Sequence, residues 1–156
     1  MASVSTCGDF LDALRAALVA RAGLSGVAVY TGPVSAEALG AECIVLATEA
    51  ESGDVEQPLM GGLEHFEEYS VGGFIWVNKP GAGETVIASA RDRAFDILEE
   101  VHDYLASLTS TAATVSALGV DRADLRGWTL EQFAEPGERH CMLKFSIDVR
   151  GRFTPA

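Results

Sequence analysis

The sequence predicts an α+β domain: a mainly antiparallel sheet of about four to five strands, with an N-terminal helix and a long central helix packed on one face, plus an extended hairpin or loop arm. Three observations carry this. Apolar residues recur at spacings of three and four from Glu84 to Leu108, as one face of a helix requires. From Cys141 to Arg150 they alternate with mostly polar ones, as in a strand with one buried face. The segments run helix, strands, long helix, strands, with no internal repeat or domain-sized linker. Positions 1–156 therefore read as one domain, large enough to bury its own core.

Residues 8–22 place Phe10, Leu14, Ala17 and Leu18 on one stripe, and Gly23 stands where a left-handed C-cap would stop the first helix. Val27 to Tyr30 is a short strand stopped by Thr31-Gly32-Pro33, and residues 35–40 suit one helical turn. Cys43 to Thr48, aliphatic and β-branched, has the composition of a strand buried on both faces or nearly so. Glu49 to Gly62 is acidic, lacks a helical period and contains Pro58 and Gly61-Gly62, which predicts a long hairpin tip or mobile loop. Strand character returns from Glu64 to Val77, with Phe66, Glu68, Ser70, Gly72, Phe74 and Trp76 on one side and Glu67, Tyr69, Val71, Gly73, Ile75 and Val77 on the other. Gly72-Gly73 within it predicts a bulge or bend.

That strand breaks at the loop Asn78 to Gly83, and the long helix begins at Glu84. Its Arg91 and Arg93 are spaced to pair with acids a turn away. Thr109 to Leu118 suits a short second helix before Gly119, Leu125 to Phe133 a strand, and Pro136-Gly137 the turn into the last strand.

Composition removes several function classes. Twenty-three acids against eleven bases give a net charge of −12, and Lys79 and Lys144 are the only lysines. Strong DNA binding needs a clustered basic face, because counterion release supplies most of the affinity, and this chain lacks one. Acids spread over the whole chain are expected to keep it soluble. An acidic wall would also repel a passing polyanion over roughly a Debye length, about 8 Å at physiological salt. No apolar stretch is long enough to span a bilayer, and Met1 to Phe10 lacks the charged start of a secretory signal. Cys7, Cys43 and Cys141 are odd in number and form no Cys-x-x-Cys pair, which predicts reduced, partly buried thiols in a cytoplasm.

No catalytic, cofactor or metal residues are assigned. His65, His102 and His140 lie outside any metal-binding spacing, and the adjacent His140 and Cys141 would point to opposite sides of a strand. No nucleophile elbow surrounds a cysteine. Gly81 and Gly83 precede a helix, but their spacing fits no phosphate loop and Glu84 sits where an anion would go. Glu67 and Glu68 face opposite sides and make a poor carboxylate pair. The chain is therefore expected not to be an enzyme.

Several segments in this order resemble the tail terminator proteins of long-tailed bacteriophages. They are the opening helix Phe10-Leu11-Asp12-Ala13-Leu14, the strand end Val29-Tyr30-Thr31-Gly32-Pro33, the extended hairpin, the Gly-rich entry Trp76 to Glu84 into a helix carrying Ala90-Arg91-Asp92-Arg93-Ala94, and the alternating last strand with Arg150 and Arg152 near its end. The resemblance covers most of the chain, and its specificity lies in element order more than in any single motif. It implies a homo-hexameric ring at the head-proximal end of the virion tail. Such a ring stops tube polymerisation and meets the tail tube protein on one face and the head–tail connector or stopper on the other, with DNA passing through unbound.

Six copies would place about 72 negative charges around one pore. Within that picture Glu49, Glu51, Asp54 and Glu56 of the arm are lumen candidates, and Lys79, Arg150 and Arg152 are candidates for intersubunit or tube contacts. A stopper or connector of the same particle, or a small cytoplasmic ligand-binding α+β domain, are the alternatives.

Overall fold

A computed structural model of the chain describes residues 5–48, 53–56, 64–109 and 118–153, with only the backbone course for 53–56 and 109. Helix α1 (Cys7–Val19) leads through a short 3-10 turn to β1 (Ala28–Thr31), a second 3-10 turn at Ala36–Ala38, and β2 (Glu42–Leu46). Then come β3 (Gly53–Glu56), β4 (His65–Pro80), helix α2 (Glu84–Thr109), β5 (Val120–Glu135) and β6 (Glu138–Phe153). The six strands form one mixed sheet in the order β1-β2-β4-β6-β5, with β3 pairing on β4. All pairings are antiparallel except β1 with β2. The fold is thus the expected α+β class, with one parallel pair that the sequence did not announce.

Both helices cover the same face of the sheet. Phe10, Leu14 and Leu18 of α1 and Ala94, Ile97, Leu98, Val101 and Leu105 of α2 join Val71, Ile75, Leu143 and Ile147 in one core. The alternation along β4 is as read: Glu67, Tyr69, Val71, Gly73, Ile75 and Val77 are buried and their neighbours face the open side. Strand β2 is buried on both faces: Ile44 and Leu46 join the core, while Cys43 and Val45, in register with Trp76 and Phe74 of the open side, are also fully buried.

Four local expectations are corrected. Gly23 is not a left-handed cap: α1 ends at Ala20, and Gly23 sits in the following 3-10 turn with negative φ. Its value is space, since a Cβ there would lie 2.1 Å from Glu100 Oε1, the carboxylate that binds Arg21 at 2.7 Å. Gly72-Gly73 makes no bulge, for the register with β6 runs unbroken from His65 to Pro80. Gly73 instead admits a close backbone, as its Cβ would stand 2.6 Å from Val45 O. The bulges lie in β5, between Val120 and Arg122 and between Leu125 and Gly127.

The loop read as 78–83 is strand as far as Pro80, so Lys79 is a ladder residue. Arg93 pairs not with its own helix but with Glu42 of β2, at 3.0 and 3.1 Å, a tertiary contact that helical spacing cannot foretell. The expected short helix at 109–118 falls mostly outside the described residues. No described helix is long and apolar enough to cross a membrane.

Candidate functional site: the open face and the strand ends

The face without helices is read directly from the register. Glu68, Arg150 and Arg122 form one cross-strand row, Ser70, Asp148 and Asp124 the next, and Phe74, Lys144 and Thr129 a later one. Like charges directly opposite repel, and here two arginines face each other in one row and two aspartates in the next. Opposite-charge and polar contacts offset this: Arg126 meets Asp148 diagonally at 2.9 Å, Arg122 binds Asp124 along its own strand, and directly across the ladder Arg150 lies 3.7 Å from Glu68 and Ser70 donates to Asp148 at 2.8 Å. The result is a shallow polar groove of about 360 Å³ with both signs of charge on its walls.

At the Phe153 end of β6, Arg150 and Arg152 both stand over the Phe66 ring, at 5.5 and 5.4 Å from its centroid. Arg152 also reaches Asp121 at 3.2 Å and Glu64 at 3.4 Å, and the Asp121 charge raises its pKa above the ordinary value. His65 stacks on Phe153 beside them. Lys79 lies 3.8 Å from Glu42 Oε1. All three basic contact candidates are therefore ion-paired within the protomer, so any partner must compete with or add to these pairs.

Of the arm candidates, Glu49 and Glu51 lie outside the described residues. Asp54 and Glu56 fall on β3 at register positions opposite Glu68 and Phe66. The expected hairpin exists in backbone, with β3 and β4 antiparallel, and its tip at 57–63 is outside the described residues.

The buried polar groups do structural work. Glu67 Oε1 accepts the Thr6 backbone N–H and, at 2.5 Å, the Thr6 hydroxyl, and so receives the start of α1. Burial pushes the thiols of Cys43 and Cys141 up to about 11, which keeps them protonated and poor nucleophiles at neutral pH.

One juxtaposition escaped the reading of spacing. The two-residue turn Pro136-Gly137 sets Glu135 opposite Glu138, with His140 next on the same face. His140 Nε2 lies 3.5 Å from Glu135 Oε2 and 3.6 Å from Glu138 Oε2. The signal was present as Glu-Pro-Gly-Glu-x-His, legible only once the turn is known to hold two residues. His140 and Cys141 do face opposite sides: His140 stacks on Trp76 of the open face at 4.9 Å, while Cys141 joins the core under the helices.

No protein-family model matches the sequence, and no curated protein does. Among solved structures, a chain of the virion of a native gene transfer agent particle matches with a TM-score of 0.54 at 19% identity. The match covers 96% of this chain and 100% of that one. At that identity what is shared is the fold, over nearly all of this chain and the whole of that one.

Proposed function

We propose that this protein is a structural virion component, a tail terminator that assembles as a homo-hexameric ring on the head-proximal end of a tail tube. The ring ends tube polymerisation and presents its other face to the head–tail connector or stopper, while DNA passes through the lumen without specific binding. It carries out no catalysis. The observation that carries this reading is the end-to-end agreement of fold with a chain of an assembled virion. The order of sequence segments then narrows the part from any virion protein to the terminator.

The physical character of the chain supports it. A net charge of −12 suits a wall along which a polyanion slides. Strand β5 is an edge of the sheet, sixteen residues long, and carries exposed Trp128 and Phe133, the residue types that anchor protein contacts. The arm ending in β3 and β4 supplies the lumen or neighbour contacts, with Glu49, Glu51, Asp54 and Glu56 as lumen residues.

Light scattering after size exclusion, at low and high salt, tests the ring: a mass of six protomers, or a salt-dependent exchange between one and six, is expected. Added to polymerising tube protein, the chain should give shorter, capped tubes. A monomer at every salt concentration together with uncapped tubes would remove this reading.

A further inference from the structure

We propose that Glu135, Glu138 and His140 form a binding site for a divalent transition metal of the zinc class at the turn between β5 and β6. Their ligand atoms all lie within 4.8 Å of one another. The Nε2 separations of 3.5 and 3.6 Å from the two carboxylate oxygens are long for hydrogen bonds. They suit a shared ion: two ligands each about 2.1 Å from a tetrahedral centre stand about 3.4 Å apart. One imidazole nitrogen with two carboxylates matches zinc and its neighbours, whereas magnesium and calcium take oxygen alone.

The imidazole is held in place before an ion arrives. His140 is only 7% exposed and stacks on Trp76 with an interplanar angle of 25°. Its Nδ1 is buried without a hydrogen-bond partner, and so is Oδ1 of Asn78, the residue paired with His140 across β4 and β6. A metal on Nε2 fixes the proton on Nδ1, and ligating histidines pass that proton to a nearby acceptor. Asn78 Oδ1 lies on the paired strand but is not bonded to Nδ1 here, so ion binding would need to draw the two together. Arg139, between Glu138 and His140 in sequence, is turned to the backbone, donating to Glu135 O at 3.0 Å and Glu138 O at 2.7 Å.

An ion here would fasten the turn that also receives Gly81 N–H on Gly137 O at 2.7 Å, and thus the joint between β4 and α2. The experiment uses the full chain, stripped with a chelator and titrated with Zn²⁺ by calorimetry and with Co²⁺ by visible absorption. One saturable ion per chain and a zinc-dependent rise in Tm are expected. Glu135→Gln, at an exposed carboxylate, should weaken binding at least about tenfold without moving the metal-free Tm. Glu99→Gln removes the same charge from the exposed side of α2 and should leave binding unchanged. His140→Gln should abolish the Co²⁺ spectrum. Absence of saturable binding, or equal weakening by Glu135→Gln and Glu99→Gln, would show only diffuse attraction to an acidic surface and overturn the site.

Discussion

Glu67 Oε1 accepts the hydroxyl of Thr6 at 2.5 Å, and Gly151 leaves the space for it, since a Cβ on Gly151 would lie 2.3 Å from Thr6 Oγ1. A carboxylate 3% exposed is thereby met by the backbone N–H and hydroxyl of Thr6, the residue just before α1. Thr6→Ala should cost about 1–3 kcal/mol, because it removes a hydrogen bond to a buried carboxylate; the side chain makes no cap bond to α1. Gly151→Ala should cost more in the wild-type background than in Thr6→Ala, because the colliding hydroxyl is gone. Urea unfolding of the four proteins in this cycle measures that coupling, and additive losses would contradict the geometry.

Gly73 and Gly127 should respond oppositely to alanine. At Gly73 the added Cβ meets backbone Val45 O at 2.6 Å and the Phe145 ring at 3.0 Å, whereas at Gly127 nothing lies within 4 Å. A clash with backbone inside a sheet predicts a loss of about 1–3 kcal/mol for Gly73→Ala, while Gly127→Ala should stay within about 0.5 kcal/mol of wild type. Thermal melts of the two variants check the contrast.

The forked contact between Arg93 and Glu42 ties α2 to β2 through side chains 27% and 20% exposed. A double-mutant cycle with Arg93→Ala and Glu42→Ala should give a coupling of about 1–2 kcal/mol, above that of surface pairs. Arg93→Lys should recover only part of it, since an ammonium cannot present the fork. Chemical denaturation at fixed ionic strength decides.

Stability should fall in alkali. Cys43 and Cys141 titrate at about 11 in the folded chain against 9.0 for a free thiol, so their contribution is complete below pH 9 and is lost as pH rises from 9 to 11. Two units correspond to roughly 2–3 kcal/mol per thiol at most. The double variant Cys43→Ala, Cys141→Ala should lose less stability than wild type between pH 8 and pH 10.5, measured by urea midpoints. In the native state Cys7 should react first with a thiol reagent, being the least buried of the three.

A substitution at Arg152 tests the proposed assembly apart from the fold. Its side chain is solvent-exposed, and exposed ion pairs contribute little to stability. Arg152→Ala should melt like wild type yet assemble less well if the proposed ring uses this corner. Mass measurement across a concentration series reads the second effect.

Periodicity made α2, β4 and β6 legible, because each buries one face along its whole length and the pattern has many residues over which to accumulate. Short elements were harder. β1 and β2 pair in parallel, and nothing in four or five residues encodes that direction. Gly72-Gly73 gave the right residue and the wrong reason: a missing side chain marks either a kink or a close neighbour, and only the sheet order tells which. The charge clusters were illegible for a related cause. Arg152 with Asp121 and His140 with Glu135 meet through strand register, and Arg93 with Glu42 through the packing of α2 on the sheet, neither of which the sequence states.

Strand β4 runs through sixteen residues without a break, from the base of the arm to the glycine loop before α2. At about 3.3 Å per residue it is a tie-rod roughly 50 Å long, clamped along one side by β6 over its entire span. Force applied to the arm by a docking neighbour would not be absorbed by a hinge on the way. It would be shared with β6 along the unbroken ladder, up to the end of the domain where Gly81 and Gly137 are joined.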